Sequence, residues 1–435
     1  MKRKILAVAL SAMMVFSMAA CGGNGGKSTS NTEGQPDSGN AEKEASDVKE
    51  AKIVWYNGKD DNGAYKALIK KFNETYPQIE VELVEFPGNS DDRKKAITTS
   101  LVAGDSDPDV IETDVIWIPQ FAAAGWIMDV TDDVTPTTDQ HLAGPLAACQ
   151  IDGTYYAYPT FTDVNVLYYR TDLVETPPKT WDELVSMSKD LTGQGGTEYG
   201  FCFQAFQGEP IVCNAGLPFI KSNGGNDVES GKAVINSPNS VEAIEFLKSL
   251  IDTGISPKGV LTHKPDDSRA IFEEGKTIFM INWPFAFPVL QNGNNKVTGN
   301  VGVAPLPVGP SGSVPVSSLG GWQTTINANT DEPEAAKLFA QFLSSEEGQT
   351  IRTLYNSTVP TMASVFDNAE VLEKAPQLAG IKDALDTAAP RPQVPNYPGL
   401  SEIMALHFHK ALSGEVDAKS MLETLEKEMQ DALDK

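Results

Sequence analysis

Cysteine and histidine are scarce in this sequence, with four of each among 435 residues. No cysteine and histidine form the short paired spacing of a zinc ligand set, so we expect no metal site. Three cysteines lie well inside the chain, at Cys149, Cys202 and Cys213. Cys202 and Cys213 are near enough in sequence to form a disulfide in an oxidising compartment. The alternative is that all three are buried as small apolar side chains, and spacing alone leaves both open.

Clusters of positive charge are also missing. The chain has 34 Lys and Arg against 59 Asp and Glu, a formal net charge of −25, and after residue 4 basic residues form only short groups such as Lys70–Lys71. Nucleic acids and anionic lipid surfaces need clustered Lys and Arg, so the sequence argues against both as partners. After the first 20 residues no apolar run approaches 18 residues, which argues against a membrane-spanning helix.

Familiar catalytic and cofactor motifs are absent. Gly275–Thr277 imitates the end of a phosphate-binding loop, but Ala270 stands where that loop needs its first glycine. A calcium loop beginning at Asp105 fails in the same way, with Val110 at the glycine position. No Gly-x-Ser-x-Gly element of a serine hydrolase occurs. We therefore predict a protein that is not an enzyme and that carries no cofactor.

The chain begins with the pattern of an export signal. A basic start, Met1–Lys4, precedes the apolar run Ile5–Met18, and small residues lead to Cys21. The end of this signal resembles a bacterial lipobox, which implies cleavage before Cys21 and acylation of that residue. Residues 1–20 are then the lipoprotein signal peptide, and residues 21–50, which contain no aromatic residue, are a flexible lipid-anchored tether. The alternative is a plain signal peptide with an incidental cysteine.

Short strands alternate with helices of 10–15 residues after this tether. The apolar run Lys52–Tyr56 predicts a buried strand, and apolar residues from Tyr65 to Tyr76 recur at helical spacing until Pro77. A second strand near residues 79–86, a helix near 91–102 and a strand at Asp109–Glu112 continue the alternation. This order indicates an α/β fold with open sheets.

Polar and aromatic side chains cluster at a few loops of the predicted fold. In open α/β sheets, ligands bind beyond the carboxyl ends of the strands. Carboxylates and arginine suit neighbouring sugar hydroxyls, and flat rings suit the C–H faces of sugars. A single Trp or Asp at such a place is ordinarily packing or a turn, so the combination carries the prediction. The candidates are Asp114, Asp163, Trp283, Gly320, Trp322 and Arg391.

Several segments, in their order and spacing, resemble the extracellular solute-binding proteins of ATP-driven (ABC) sugar importers. They are Asp107–Val110 and Ala124–Trp126, Ala157–Asp163 and Leu167–Arg170, Pro178–Leu184, Phe272–Lys276, Leu319–Trp322, and Arg391–Tyr397. The Leu-Gly-Gly-Trp and Arg-Pro-x-x-Pro-x-Tyr segments are similar to the trehalose/maltose-binding branch in particular.

That resemblance implies a two-lobed periplasmic-binding-protein-like fold of class II, with the ligand cleft between the lobes. The N-terminal lobe is expected at residues 51–161 and 305–344, and the C-terminal lobe at residues 162–304 and 345–435.

The same resemblance implies roles for individual residues. Hydroxyl contacts are expected from Arg93, Asp114, Asp163 and Arg391, stacking from Trp283 and Trp322, and a close backbone approach at Gly320. Phe161 stands where the branch tends to have tyrosine, which leaves trehalose or maltose itself open. Asp60 or Asp61 is a further candidate contact.

The function implied is capture of a di- or oligosaccharide by hinge closure and its delivery to the permease subunits of an ABC transporter. The protein is expected to be a monomer, lipid-anchored on the extracytoplasmic face of the cell membrane. Two alternatives remain open: a cysteine-dependent enzyme on the same fold, resembling thiamin-degrading enzymes and using Cys149, and a sugar sensor that feeds no permease.

Overall fold

The computed structural model describes residues 49–60, 62–86, 90–292 and 294–434. Its strands, in chain order, are β1 (Ala51–Asn57), β2 (Ile79–Glu85), β3 (Val110–Asp114), β4 (Gln150–Ile151), β5 (Thr154–Tyr155), β6 (Tyr158–Val164), β7 (Val166–Arg170), β8 (Tyr199–Cys202), β9 (Val228–Glu229), β10 (Lys232–Ala233), β11 (Thr277–Asn282), β12 (Val301–Ala304), β13 (Leu319–Ile326) and β14 (Val359–Pro360).

The α-helices are α1 (Ala64–Thr75), α2 (Ser90–Ala103), α3 (Ile118–Ala123), α4 (Thr131–Val134), α5 (Ala143–Ala147), α6 (Trp181–Leu191), α7 (Glu209–Ile211), α8 (Leu217–Ser222), α9 (Pro238–Asp252), α10 (Pro265–Glu273), α11 (Ala286–Asn292), α12 (Pro333–Ser344), α13 (Glu346–Asn356), α14 (Ala363–Phe366), α15 (Ala369–Lys374), α16 (Leu378–Leu385), α17 (Tyr397–Ser413) and α18 (Ala418–Leu433). A π-helical turn, Val212–Gly216, joins α7 to α8. No helix of the described ranges combines the length and apolarity that crossing a bilayer requires.

Two mixed sheets organise these elements. The first sheet has the strand order β14-β6-β13-β3-β1-β2, and the second sheet has the order β12-β7-β11-β8. In the first sheet β1 runs parallel to β2 and β3, while β13 runs antiparallel to β3 and β6. Each sheet has its own apolar core, formed around Trp55, Phe72 and Phe339 for the first and around Phe201 and Phe279 for the second. The predicted α/β class is confirmed.

The chain passes between the sheets at β6–β7 and again between β12 and β13. Asn165, the residue between β6 and β7, is fully buried and joins the two passages. Its side-chain oxygen accepts the backbone N–H of Ser318 at 2.9 Å, and its Nδ2 donates to the carbonyl of Cys213 at 2.6 Å. Ala389 bridges to Ser318 beside them. Four segments of the chain therefore meet at this junction.

Local sequence signals account for much of this fold. Thr180 and Glu183 form a capping box at the start of α6, and Pro333 begins α12. The boundary predicted between residues 161 and 162 falls inside β6, and β14, within the segment predicted for the C-terminal lobe, pairs with β6 at the edge of the first sheet. The lobe boundaries stay a prediction.

The three cysteines of the described chain are free thiols. Cys149, Cys202 and Cys213 are all buried and unpaired with one another, so the disulfide alternative is wrong and the buried-thiol alternative is confirmed. Burial raises the pKa of each thiol, that of Cys202 to about 12. Such thiols behave as small apolar side chains.

Candidate functional site

Five of the predicted site residues share one face of the first sheet. Trp322 lies directly opposite Asp114 of β3 on one side and opposite Phe161 of β6 on the other, and Gly320 lies opposite Asp163. Directly opposed residues of antiparallel strands point to the same face, as do residues two apart on one strand. The carboxyl ends of β3 and β6 lie beside the start of β13 at one end of the first sheet. These three strand ends form a single edge. The register therefore gathers two carboxylates and an indole at that edge.

Gly320 lets a residue of the second sheet reach this edge. A methyl group on Gly320 would lie 3.0 Å from Cζ3 of Trp283 and 3.3 Å from Cβ of Asp163, so a side chain there would crowd the ring and force it to shift. Trp283 directly follows β11, and its carbonyl accepts the hydroxyl of Tyr168 at 2.9 Å. The indole of Trp283 is thus brought against the first sheet at the position where the sequence lacks a side chain.

Arg391 joins the two halves of the site electrostatically. Its Nη1 donates to Oε1 of Glu209 at 2.7 Å, and its Nη2 lies 3.6 Å from Oδ1 of Asp114. The carboxylate of Glu209 also accepts the hydroxyl groups of Tyr397 and Ser401. We call Asp114, Glu209 and Arg391 the cleft triad. It places one cation between two carboxylates, one from the first sheet and one from the start of α7.

Arg93 belongs to a second charged group, which we call the inner triad: Arg93, Glu112 and Arg352. Nη1 of Arg93 lies 3.2 Å from Oε2 of Glu112, and Nη1 of Arg352 lies 2.5 Å from Oε1. The guanidinium carbon of Arg93 stands 3.5 Å from the centroid of the Trp322 ring, and Trp117 meets that ring edge-on at 5.1 Å. Arg93 therefore covers one face of Trp322 by a cation–π contact. Its charge is already paired.

Burial shapes the protonation of the two carboxylates. Burial raises the pKa of Asp114 above its usual range, although Arg391 opposes that change. Burial, together with the nearby charge of Asp114, raises the pKa of Asp163 to about 8, against the lowering effects of the Val164 N–H and of Arg391. Asp163 is thus mainly protonated at neutral pH, so that it offers an O–H donor as well as acceptors.

Three residues of this arrangement were missed by sequence reasoning. Glu209 and Ser401 carry no motif signal, and Tyr397 belongs to the Arg391–Tyr397 segment, to which only Arg391 brings a predicted ligand contact. Their contacts join positions 182, 188 and 192 residues apart, which no local pattern reports. The candidate Asp60 caps the start of α1, since its carboxylate accepts two backbone N–H groups there. Asp61 and Cys21 lie outside the described residues.

The described part of the chain shows no metal cluster, and the cysteine considered as a nucleophile, Cys149, is buried. No group of three or more His, Cys, Asp or Glu side chains there has the arrangement of a metal site. Cys149 is completely buried beside Trp117 and Phe121, and its thiol faces the carbonyl of Pro145 at 3.4 Å. A thiol that is buried and held protonated in this way is not placed to attack a ligand.

The chain belongs to the family of bacterial extracellular solute-binding proteins, whose family model matches residues 57–350. A probable ABC transporter-binding protein of Deinococcus radiodurans is 32% identical over 361 residues, which cover 80% of this chain and 85% of that protein. The chain is therefore a solute-binding protein of the class that serves ABC transporters.

Solved structures show the same two-lobed architecture. The maltose-bound MalE3 protein of T. maritima is 34% identical and superposes with a TM-score of 0.80, covering 88% of this chain and 99% of that one. The GacH receptor of Streptomyces glaucescens has a TM-score of 0.78 over 89% of this chain and 99% of its own. At 23% identity the second likeness concerns the fold alone. The predicted two-lobed α/β fold is thereby confirmed.

Proposed function

We propose that this protein captures a di- or oligosaccharide between its two lobes and delivers it to the permease of an ABC transporter. One observation carries the proposal. Side chains from both sheets, with the loop that holds Arg391, converge on the edge formed by β3, β6 and β13. The sugar named for the T. maritima relative, maltose, belongs to the same class.

The chemistry of this edge suits a saccharide. Asp114 and Asp163 supply acceptors for hydroxyl groups, and a protonated Asp163 also donates. Arg391 supplies donors that reach two neighbouring oxygens. The half-buried rings of Trp322 and Trp283 supply apolar surfaces for the sugar ring.

The mechanism proposed is closure about the junction at Asn165. A sugar that touches Asp114 in the first sheet and Trp283 beside the second makes both contacts only when the lobes are closed. Binding therefore favours the closed form by its extra contacts there. The N-terminal lobe is proposed at residues 51–161 and 305–344 and the C-terminal lobe at 162–304 and 345–435, with the closed form docking on the permease.

Titration calorimetry with maltose, maltotriose, trehalose and glucose tests this function. We expect at least one di- or oligosaccharide to bind, and Trp322→Ala to weaken it at least about tenfold, because the ring face is lost. Trp126→Ala is the matched control, since Trp126 packs against Phe121 outside the site, and its affinity should match that of the parent. Absence of binding to every sugar, or unchanged affinity of Trp322→Ala, would refute the proposal.

We further propose that Cys21 anchors a monomeric protein to the extracytoplasmic face of the membrane through attached acyl chains. More than one chain gives stable anchoring, whereas one chain gives only marginal binding. Cys21→Ser should move the protein from the membrane fraction to the medium, while Cys149→Ser should leave it in the membrane fraction. Retention of Cys21→Ser in the membrane fraction would contradict the anchor.

A further inference from the structure

Glu209 is the meeting point of three side chains from a distant part of the chain. Its Oε1 accepts Nη1 of Arg391 at 2.7 Å and the hydroxyl of Tyr397 at 2.6 Å, and its Oε2 accepts the hydroxyl of Ser401. Tyr397 and Ser401 are four residues apart on α17 and so lie on the same side of that helix. One carboxylate thereby ties the Arg391 loop and the first turn of α17 to the start of α7.

These contacts fix the direction of the Arg391 guanidinium. The group is planar and rigid, so holding Nη1 against Glu209 also determines where Nη2 and Nε point. Nη2 stands 3.6 Å from Oδ1 of Asp114, longer than a hydrogen bond. Nε is buried and has no hydrogen-bond partner within the described residues. The guanidinium group of Arg391 is therefore held through Nη1 alone. Among the described residues, Nη2 and Nε have no acceptor within hydrogen-bond distance.

We propose that Glu209 is a positioning residue: it orients Arg391 toward the ligand hydroxyls and acts on the ligand through that arginine. This inference rests on the proposed function of sugar binding. Three donors already occupy most of the roughly four acceptor positions that a carboxylate has. The competing arrangement is a direct hydrogen bond from the sugar to Glu209.

A double-mutant cycle separates the two arrangements. Glu209→Gln, Arg391→Gln and the double variant are titrated with maltose and with whichever sugar of the panel binds most tightly. We expect Glu209→Gln to weaken binding about tenfold, the scale of one charge-assisted hydrogen bond. We expect the double variant to match Arg391→Gln within about twofold, because Glu209 then has nothing left to orient. Losses that multiply would overturn the inference and establish a direct contact.

Tyr397→Phe provides a gentler variant that keeps both charges. It removes one donor to Glu209, and we expect about a threefold loss of affinity in the parent and none in the Arg391→Gln background. An equal loss in both backgrounds would overturn the inference. Glu242→Gln is the matched control, since Glu242 also accepts two side-chain hydrogen bonds, from Asn223 and Ser311, and belongs to neither triad. Its affinity should equal that of the parent.

A sugar-free measurement distinguishes failure of this inference from failure of the proposed function. If no sugar binds the parent protein, the function fails. The parent, Glu209→Gln, Arg391→Gln and the double variant can still be unfolded in urea. Their four unfolding free energies give the coupling between Glu209 and Arg391. A favourable coupling supports the orientation of Arg391 by Glu209, and a coupling of zero overturns it.

Discussion

The two charged triads combine carboxylates and arginines in opposite proportions. The inner triad sets two arginines around one carboxylate, and Arg93, Glu112 and Arg352 are 7%, 3% and 1% exposed. All its contacts join elements packed on the first sheet, at 3.2 and 2.5 Å. The cleft triad sets two carboxylates around one arginine, and it is tight toward Glu209 but loose toward Asp114, at 2.7 and 3.6 Å.

The difference in how fully the charges are paired indicates different roles for the two triads: we propose that the inner triad supports the fold and that the cleft triad recognises the ligand. In the inner triad every charge has a close partner, so the group holds Trp322 through Arg93 and has little left to offer a ligand. In the cleft triad, Asp114 accepts the backbone N–H of Ile116 at 3.2 Å but lies 3.6 Å from Arg391. Both side chains therefore keep capacity for further hydrogen bonds, and we propose that ligand hydroxyls use it. The cleft triad is also the more exposed of the two, with the side chains of Asp114 and Glu209 15% and 29% exposed. We therefore propose that the inner triad serves stability and the cleft triad serves binding.

Removing the carboxylate of the inner triad is expected to have the largest effect. Glu112→Gln leaves two buried guanidinium groups without a counter-charge, so we expect a loss of about 3 kcal/mol in the free energy of unfolding. Urea unfolding of the parent and the variant measures it. Glu242→Gln, which removes a partly exposed carboxylate, should change the free energy by less than about 1 kcal/mol. An equally small loss for Glu112→Gln would show that the triads do not differ as described.

Much of the fold can be predicted from local sequence patterns. Alternating apolar runs, Pro77 and the Thr180–Glu183 box indicate β1, α1, β2, α2, β3 and α6, because these signals act over a few positions. The short helices α3, α4 and α5 carry no such signal. The second sheet and the junction at Asn165 cannot be predicted in this way. Their contacts join residues about 50 to 150 positions apart, which only the packed chain brings together.

The site was predictable to the same limited extent. Asp114 and Trp283 could be named because each lies at or just after the end of a strand, where ligands of α/β proteins bind. Asp163 could be named because it lies in a loop between predicted elements, although the structure places it inside β6. Glu209 could not be named from the sequence, because its role depends on hydrogen bonds with three residues far away in the chain. The contacts of Arg93 were equally hidden, because nothing local indicates that Glu112 and Trp322 occupy its guanidinium.

Asp163 differs from Glu112 of the inner triad because no arginine of the described residues forms an ion pair with it. Its protonation therefore gives a second test of the difference between the two groups. The unfolded chain releases this proton near pH 4, whereas the folded protein retains it up to about pH 8. The folded state therefore binds more protons between these values, and the free energy of unfolding falls as pH rises. We expect about 1 kcal/mol per pH unit between pH 5 and 7 from this group.

Asp163→Asn isolates that contribution, because the amide does not titrate. Urea unfolding of parent and variant from pH 5 to pH 9 gives two curves, and their difference should decrease steadily to about pH 8 and then level off. Parallel curves would mean that Asp163 ionises normally in the folded protein.

Neutralising the cleft triad on its loose side should reverse the pattern found for Glu112. Asp114→Asn is expected to weaken sugar binding at least about tenfold, because a charged acceptor for hydroxyls is lost. The unfolding free energy should change by less than about 1 kcal/mol, since the cost of burying this carboxylate offsets its distant ion pair. Calorimetry and urea unfolding measure the two quantities. Asp129→Asn, at an exposed capping position, is the control for affinity. A large loss of stability with unchanged affinity would assign Asp114 to structural support instead.

Phe161 offers the smallest test, at the point where the two triads adjoin. Its ring lies 5.1 Å from the guanidinium carbon of Arg352 and opposite Trp322 in the sheet. Phe161→Tyr keeps the ring and adds a hydroxyl, so we expect less than about 1 kcal/mol of change in unfolding free energy. If the ring edge borders the sugar, the added hydroxyl should raise affinity by about threefold, the scale of one neutral hydrogen bond. Calorimetry with the sugar panel measures this gain, and Phe161→Leu, which lacks the ring, should lose affinity. Equal affinity for all three proteins would place Phe161 with the inner triad, as a contact of Arg352 alone.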